Sequence, residues 1–121
     1  MRIFILEDDH ARILTLRERL FNHNLTIINS CIEVDKFQPP YDLLLLDHDL
    51  GGRQLEGHED CGLTFVRLVK PRLSSVVPII IHSYNPVGAA DMMNELEGFH
   101  VAWAPFMGST FKAALNLCAG L

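Results

Sequence analysis

The composition of this 121-residue chain suits a single domain with one buried core. Hydrophobic residues make up 49% of it, enough to form a sizeable core. Its 10 basic and 15 acidic residues give a net charge of −5, which argues against binding to the backbone of duplex DNA. No apolar run has the length of a membrane span or of a secretory signal. We therefore expect one cytoplasmic domain, residues 1–121, with no membrane segment.

Five short apolar runs are separated by helical or loop patterns. Most of their residues are branched and little polar alternation interrupts them, as is typical of strands buried on both faces. The predicted strands are residues 2–6, 25–28, 42–46, 76–81 and 99–103.

Helical spacing of apolar residues marks the segments between these runs. A first helix is predicted up to residue 20, with Asp8 or Asp9 placed to cap it. Residues 31–37 allow only a short second helix, because Pro39 and Pro40 stop it. Three more helices are predicted near residues 63–73, 89–97 and 110–117. The cysteines, Cys31, Cys61 and Cys118, form no Cys-x-x-Cys pair, so we expect reduced thiols rather than a zinc ribbon or disulfides.

Strands and helices that alternate five times require parallel pairing through right-handed crossovers. The sequence therefore predicts an α/β fold with a doubly wound, five-stranded parallel sheet. If the strand order is 2-1-3-4-5, the direction in which successive strands are added to the sheet reverses between the first and third strands, which is the topological switch point of the sheet. Ligands of such sheets bind at that point, outside the carboxyl ends of the strands.

Carboxylates crowd the ends of those two strands. Glu7, Asp8 and Asp9 follow the first strand, and Asp47 and Asp49 follow the third. Like charges at such distances raise one another's pKa unless a cation neutralises them, and hard divalent ions prefer oxygen ligands. The sequence predicts a Mg²⁺ site here, with Mn²⁺ as the alternative ion. On local spacing alone, the first three residues could equally well only cap the first helix.

Segments 2–9, 41–47, 62–70, 77–83 and 103–106 together resemble the receiver domain of two-component response regulators. The resemblance implies a receiver or flavodoxin-like sheet, with the metal held by Glu7, Asp8, Asp47 and the backbone carbonyl of Asp49. It also implies that Ser83 contacts a phosphoryl group, and that a sensor kinase or partner protein engages the domain.

One departure from ordinary receivers concerns the fifth strand. Receivers end this strand with Lys-Pro-Phe, whereas this chain has Ala104-Pro105-Phe106, and the missing lysine argues against phosphorylation of Asp47. The segment from Asp47 to Gly62 is also longer than the usual receiver connection. Its His58-Glu59-Asp60 run is more typical of a solvated loop than of a ligand set.

Two motifs point to a particular branch of receivers. Residues 47–51 read DHDLG and residues 82–88 read HSYNPVG. Both are similar to the DHDLG and HSxNPxG motifs of atypical receivers proposed to process cyclic phosphates. The resemblance implies divalent-metal-dependent binding or hydrolysis of a cyclic phosphate, either an RNA end or a small nucleotide.

The histidines of these motifs are the candidate proton carriers. Opening a cyclic phosphodiester requires a base, an acid and positive charge on the non-bridging oxygens. Imidazoles exchange protons near neutral pH, so His48 and His82 could supply the first two beside Asp47. Alternatively, each is a hydrogen-bonded core residue. On a continuing strand, His48 would point to the face opposite Asp47 and Asp49.

A phosphate cradle is predicted after the fourth strand. Ser83, Asn85 and Gly88 lie at the start of a helix, where unpaired N–H groups and the positive dipole end attract anions. Alternatively, Ser83 and Asn85 only form the turn.

Two classes of function follow from these residues. The first is a metal-dependent cyclic phosphodiesterase, or a domain that only binds its cyclic phosphate. The second is a signalling module, either a receiver phosphorylated at Asp47 or a pseudo-receiver that acts only through partner proteins.

Overall fold

The computed structural model describes residues 1–120. Its strands are β1 (Arg2–Leu6), β2 (Asn24–Ile28), β3 (Leu43–Leu46), β4 (Asp49–Leu55), β5 (His58–Cys61), β6 (Ile79–Ile81) and β7 (Val101–Trp103). Its α-helices are α1 (His10–Arg19), α2 (Gly62–Val69), α3 (Pro86–Glu95) and α4 (Ser109–Ala119), and 3₁₀ helices span Cys31–Lys36 and Lys70–Arg72. No helix in the described part of the chain is long and apolar enough to cross a membrane.

Five of the strands form one parallel sheet in the order β2-β1-β3-β6-β7. Leu6 is in register with Ile28 on one side and with Leu46 on the other, and Leu46 is in register with Ile81. The two remaining strands, β4 and β5, pair only with each other. Because β6 and β7 are thus the fourth and fifth strands of the sheet, the predicted α/β fold and its 2-1-3-4-5 order are confirmed.

The core lies in two layers because successive strand residues point to opposite faces. Phe4 and Leu44 pack on the side of α2 and α3, where an aromatic cluster includes Phe65, stacked 5.3 Å from Phe4 between ring centroids. Ile3 and Leu43 pack on the side of α1 and α4. The alternation continues past the strand ends and decides which layer each site residue faces.

The strands predicted at residues 76–81 and 99–103 begin only at Ile79 and Val101. Three helical segments also differ from the sequence prediction. The short second helix is a 3₁₀ helix, and the predicted helix 63–73 is α2 followed by a 3₁₀ turn that contains Pro71. The helix predicted from residue 89 begins at Pro86, because the side chain of Asn85 accepts a hydrogen bond from the N–H of Gly88 at 3.0 Å. Proline is tolerated at that first position because its missing N–H would be unpaired there.

The segment between β3 and α2, expected to be a loop, is a β-hairpin. Gly57 has a positive φ of 86° at the tight turn between β4 and β5, as two-residue hairpin turns require. Asp60 is fully buried, in contrast to the expectation of a solvated loop, and its carboxylate accepts hydrogen bonds from the Ser30 hydroxyl at 2.7 Å and the Cys31 N–H at 2.8 Å. Burial opposes its charge, but these hydrogen bonds hold its pKa below the usual value. Asp60 therefore ties the hairpin to the 3₁₀ helix, a long-range contact that local patterns do not encode.

Candidate functional site

The carboxyl ends of β1, β3 and β6 meet at one edge of the sheet and form a polar pocket of about 240 Å³. Its lining residues come from the segments that follow these strands, from the start of α1 and from the hairpin. They are Glu7, Asp8, Asp9, Arg12, Asp47, Asp49, Gly51, Ser83 and Tyr84. The pocket thus lies at the predicted ligand position between the first and third strands of the sheet order.

Three carboxylates of the pocket are close enough to share one cation. Oxygens of Glu7, Asp8 and Asp47 all lie within 4.8 Å of one another. Glu7 Oε2 accepts hydrogen bonds from the N–H groups of Asp8 and Asp9, whereas the buried Glu7 Oε1 has no hydrogen-bond partner. A buried oxygen without a partner is costly, and a divalent ion bound by these residues would satisfy it. The donor set therefore fits Mg²⁺ or Mn²⁺.

The raised pKa values of these carboxyl groups also favour a bound cation. Burial, and then the nearby charge of Asp47, raise the pKa of Glu7 to about 8. Burial also raises the pKa of Asp47 and that of Asp8. Without a cation, a proton must neutralise part of the cluster near neutral pH. A divalent ion would release that proton by stabilising the charged carboxylates.

Asp49, the fourth predicted metal residue, has a side chain that is engaged elsewhere. Its Oδ1 lies 2.9 Å from His48 Nδ1 and accepts a hydrogen bond from Asn85 Nδ2 at 3.1 Å. The hydrogen bond from His48 lowers the pKa of Asp49, so this carboxylate is ionised near neutral pH. A contribution of its backbone carbonyl to the metal site stays a prediction.

His48 faces α3 rather than the acidic cluster. Its backbone N–H donates to Asp47 Oδ1 at 2.8 Å, while its ring packs against Gly88. A Cβ atom at Gly88 would lie only 2.5 Å from His48 Cγ, so the ring lies directly on the first turn of α3. This orientation agrees with the alternation noted in the sequence, and the ring contacts the pocket only through Asp49, which lines it.

His82 lies in the opposite layer. Its ring is fully buried, with ring centroids 5.7 Å from Phe106 and 6.0 Å from Phe111. Its Nδ1 is 3.7 Å from Glu7 Oε1, and neither ring nitrogen has a hydrogen bond. Burial, and then the charge of Arg12, lower the pKa of His82 to about 3, so the ring is neutral at pH 7. The structure therefore does not bring His48 and His82 together on one face.

The predicted phosphate cradle is largely an internal helix cap. The Ser83 hydroxyl accepts a hydrogen bond from the N–H of Asn85 at 3.0 Å, and Asn85 Oδ1 accepts one from the N–H of Gly88 at 3.0 Å. The amide of Gly88 is therefore already paired. Of these three residues, only Ser83 lines the pocket, and a role for the trio in phosphate binding stays a prediction.

Arg12, which the sequence analysis did not single out, also lines the pocket. Its Nη1 lies 3.7 Å from Glu7 Oε1 and 3.9 Å from Asp47 Oδ2. The sequence did carry a signal for it: Arg12 precedes Leu16 and Leu20 by four and eight residues, which places it on the inward stripe of α1.

Replacement of Gly88 with alanine tests the close packing of α3 on His48. We expect Gly88→Ala to lower the free energy of unfolding by about 1–3 kcal/mol, because the new methyl group must displace the imidazole. Urea denaturation measures the loss, and NMR of the imidazole of His48 reports its displacement from Asp49. Val87→Ala, at an exposed position of the same turn, is the control. Equal stability of Gly88→Ala and wild type would contradict the packing.

The sheet order and the acidic pocket at its switch point define a receiver domain. The profile of the cyclic-phosphate processing receiver domain matches residues 3–98. The chain belongs to this family.

Solved structures show the same fold. The phosphorylated cyanobacterial phytochrome response regulator RcpA is 20% identical, with 98% of this chain and 89% of that chain covered and a TM-score of 0.65. TrrA from Thermotoga maritima, solved in complex with Mg²⁺-BeF, is 18% identical over 97% of both chains, with a TM-score of 0.65. The HemR receiver domain from Leptospira biflexa is 21% identical over 96% of this chain and 90% of that chain, with a TM-score of 0.67. A search of curated proteins found no match.

Proposed function

We propose that this receiver domain binds and hydrolyses a cyclic phosphate, either an RNA end or a small nucleotide, with the help of a divalent metal ion. The observation that carries the proposal is the position of the His48–Asp49 pair beside the carboxylate cluster. One edge of the sheet thus combines a group that can transfer a proton with residues suited to hold a cation. Acid–base catalysis of phosphodiester opening needs both.

Glu7, Asp8 and Asp47 would hold Mg²⁺ or Mn²⁺, with the backbone carbonyl of Asp49 as a further ligand. When bound, the ion supplies positive charge to the non-bridging oxygens of the phosphate. Ser83, which lines the same pocket, would donate a hydrogen bond from its hydroxyl to one of these oxygens.

His48 would act as the base that takes a proton from the attacking water, while solvent would protonate the leaving oxygen. The ionised carboxylate of Asp49 accepts a hydrogen bond from His48 Nδ1, which places the proton on Nδ1 and leaves the lone pair of Nε2 free to accept a proton. Since His82 is fully buried, it would not touch the substrate. This assignment replaces the division of the base and acid roles between His48 and His82 that the sequence suggested.

The direct test is turnover of a 2′,3′-cyclic nucleotide by the purified protein. We expect conversion to the monoester with Mg²⁺ or Mn²⁺, detected by chromatography, and no conversion with EDTA. Asp47→Asn should abolish it because the metal site loses a charged ligand, while Asp91→Asn, at an exposed position of α3, should keep it. The absence of both turnover and binding in the wild-type protein would contradict the proposal.

A receiver switch is the second candidate, because Asp47 lies at the end of β3 in the pocket and is 4% exposed. In this case a sensor kinase would phosphorylate Asp47, or partner proteins would recognise the domain without phosphorylation. Ala104, where receivers carry lysine, is buried and offers no charge to a phosphoryl group. Incubation with acetyl phosphate distinguishes the candidates: a mass increase of one phosphoryl group that is lost in Asp47→Ala would support the switch.

A further inference from the structure

Arg12 differs from the other charged residues that line the acidic pocket. Among those within residues 1–120, it alone carries a permanent positive charge; the rest are the carboxylates of Glu7, Asp8, Asp9, Asp47 and Asp49. A phosphate that enters this pocket meets mostly negative charge, so it needs a cation of the protein in addition to any metal ion.

The guanidinium group of Arg12 is held in place while its donors remain free. Its distances of 3.7 and 3.9 Å from Glu7 and Asp47 are too long for hydrogen bonds. Within the described chain, its side chain forms no hydrogen bond to a protein group, although a guanidinium has five N–H donors. The side chain is 26% exposed, so these donors are accessible from the pocket.

Aromatic stacking orients the same group. The guanidinium carbon lies 4.7 Å from the ring centroid of Tyr84 and 5.3 Å from that of Phe106. The hydroxyl of Tyr84 donates to the backbone carbonyl of Phe106 at 2.6 Å, and the Arg12 N–H donates to the capping Asp9 at 3.0 Å. Both ends of the residue are thereby fixed, so little conformational entropy is lost when the guanidinium binds an anion.

We propose that Arg12 is the phosphate-recognition residue of this pocket, and that it binds two non-bridging oxygens of the ligand through its planar fork of N–H groups. The inference rests on the proposed function and deepens it. A cyclic phosphodiester keeps two such oxygens, and a guanidinium matches them in a bidentate geometry that an ammonium cannot reproduce.

Binding of inorganic phosphate to the Mg²⁺-loaded 121-residue chain, measured by calorimetry, tests this role. We expect Arg12→Met to weaken phosphate binding by about 10- to 100-fold, the effect of losing a charge-assisted hydrogen-bonded pair. The phosphate affinity of Arg12→Lys should lie between those of the wild type and Arg12→Met, because lysine keeps the charge and lacks the planar fork of N–H groups. Arg17→Met removes the same charge from an exposed position of the same helix and should bind as the wild type does.

The affinity for Mn²⁺, measured by electron paramagnetic resonance, separates recognition from a merely structural role. Arg12→Met removes a positive charge that lies 3.7 Å from Glu7. Its affinity for Mn²⁺ should therefore equal or exceed that of the wild type, whereas its affinity for phosphate should fall. Parallel loss of Mn²⁺ and phosphate binding would overturn the inference, since it would mean that the variant has damaged the whole pocket.

The outcomes also separate this inference from the proposed function. If the wild type hydrolyses cyclic nucleotides and Arg12→Met binds phosphate equally well, the inference falls and the function stands. If the wild type hydrolyses none but binds phosphate, and Arg12→Met loses that binding selectively, the function falls and the inference stands. A wild type that binds no phosphate overturns the inference.

Discussion

Without divalent ions, the wild-type protein is expected to lose stability relative to the Glu7→Gln variant as the pH rises from about 4.5 to about 8. These limits are the ordinary pKa of the Glu7 carboxyl and the pKa to which burial and the charge of Asp47 raise it in the folded protein. Between them the unfolded chain releases the proton of Glu7 and the folded protein retains it.

The sign follows from proton linkage. Where the folded state binds one more proton than the unfolded state, stability falls by about 1.4 kcal/mol for each pH unit. The stabilising contribution of protonated Glu7 is thus complete below about 4.5 and is lost as the pH rises toward about 8. Glutamine keeps a similar volume and cannot ionise, which removes this contribution to the slope.

Urea denaturation at a series of pH values in EDTA measures the effect. Mg²⁺ should reverse this difference between the two proteins, because the ion binds the ionised cluster of the folded wild type and not the unfolded chain. It should stabilise Glu7→Gln much less. Glu97→Gln, at an exposed position, is the control and should behave as the wild type. Parallel pH profiles for the wild type and Glu7→Gln in EDTA would contradict the raised pKa.

The two histidines are expected to differ strongly in their effect on turnover of a cyclic nucleotide. His48→Gln should lower the rate by about 10²- to 10⁴-fold, the usual contribution of a general base. His82→Leu should lower it far less, because the imidazole is fully buried between Phe106 and Phe111 and reaches no substrate. Its two unpaired ring nitrogens also make an apolar replacement tolerable for folding.

Steady-state rates with Mg²⁺ test this difference, with Mn²⁺ affinity and thermal unfolding as checks on folding. His100→Gln, at an exposed position, is the matched control for loss of an imidazole. Suppose that His82→Leu is folded, binds Mn²⁺ normally and loses as much activity as His48→Gln. The two imidazoles would then share the chemistry, and the structure would have to rearrange in the substrate complex.

Local sequence patterns were sufficient for the sheet but not for the hairpin. The apolar runs of β1, β3 and β6 predict buried parallel strands because burial on both faces requires such residues. Strands β4 and β5 carry charged and glycine residues, and Asp60 fastens them to the start of the distant 3₁₀ helix through Ser30 and Cys31. A contact between residues 30 positions apart leaves no periodic trace in either segment.

The sequence by itself determined the α/β fold and the gathering of Glu7, Asp8 and Asp47 at one edge of the sheet, because the carboxyl ends of parallel strands share that edge. The strand order followed from the resemblance to receivers and not from the pattern of strands and helices. The tertiary structure alone decided which groups surround each side chain. Alternation along the strands placed His48 and His82 in opposite layers, and packing on Tyr84 and Phe106 brought Arg12 into the pocket. The types and spacing of residues along the chain specify which of them reach the carboxyl edge of the sheet. The contacts of each side chain depend on the helices that pack on its face of the sheet.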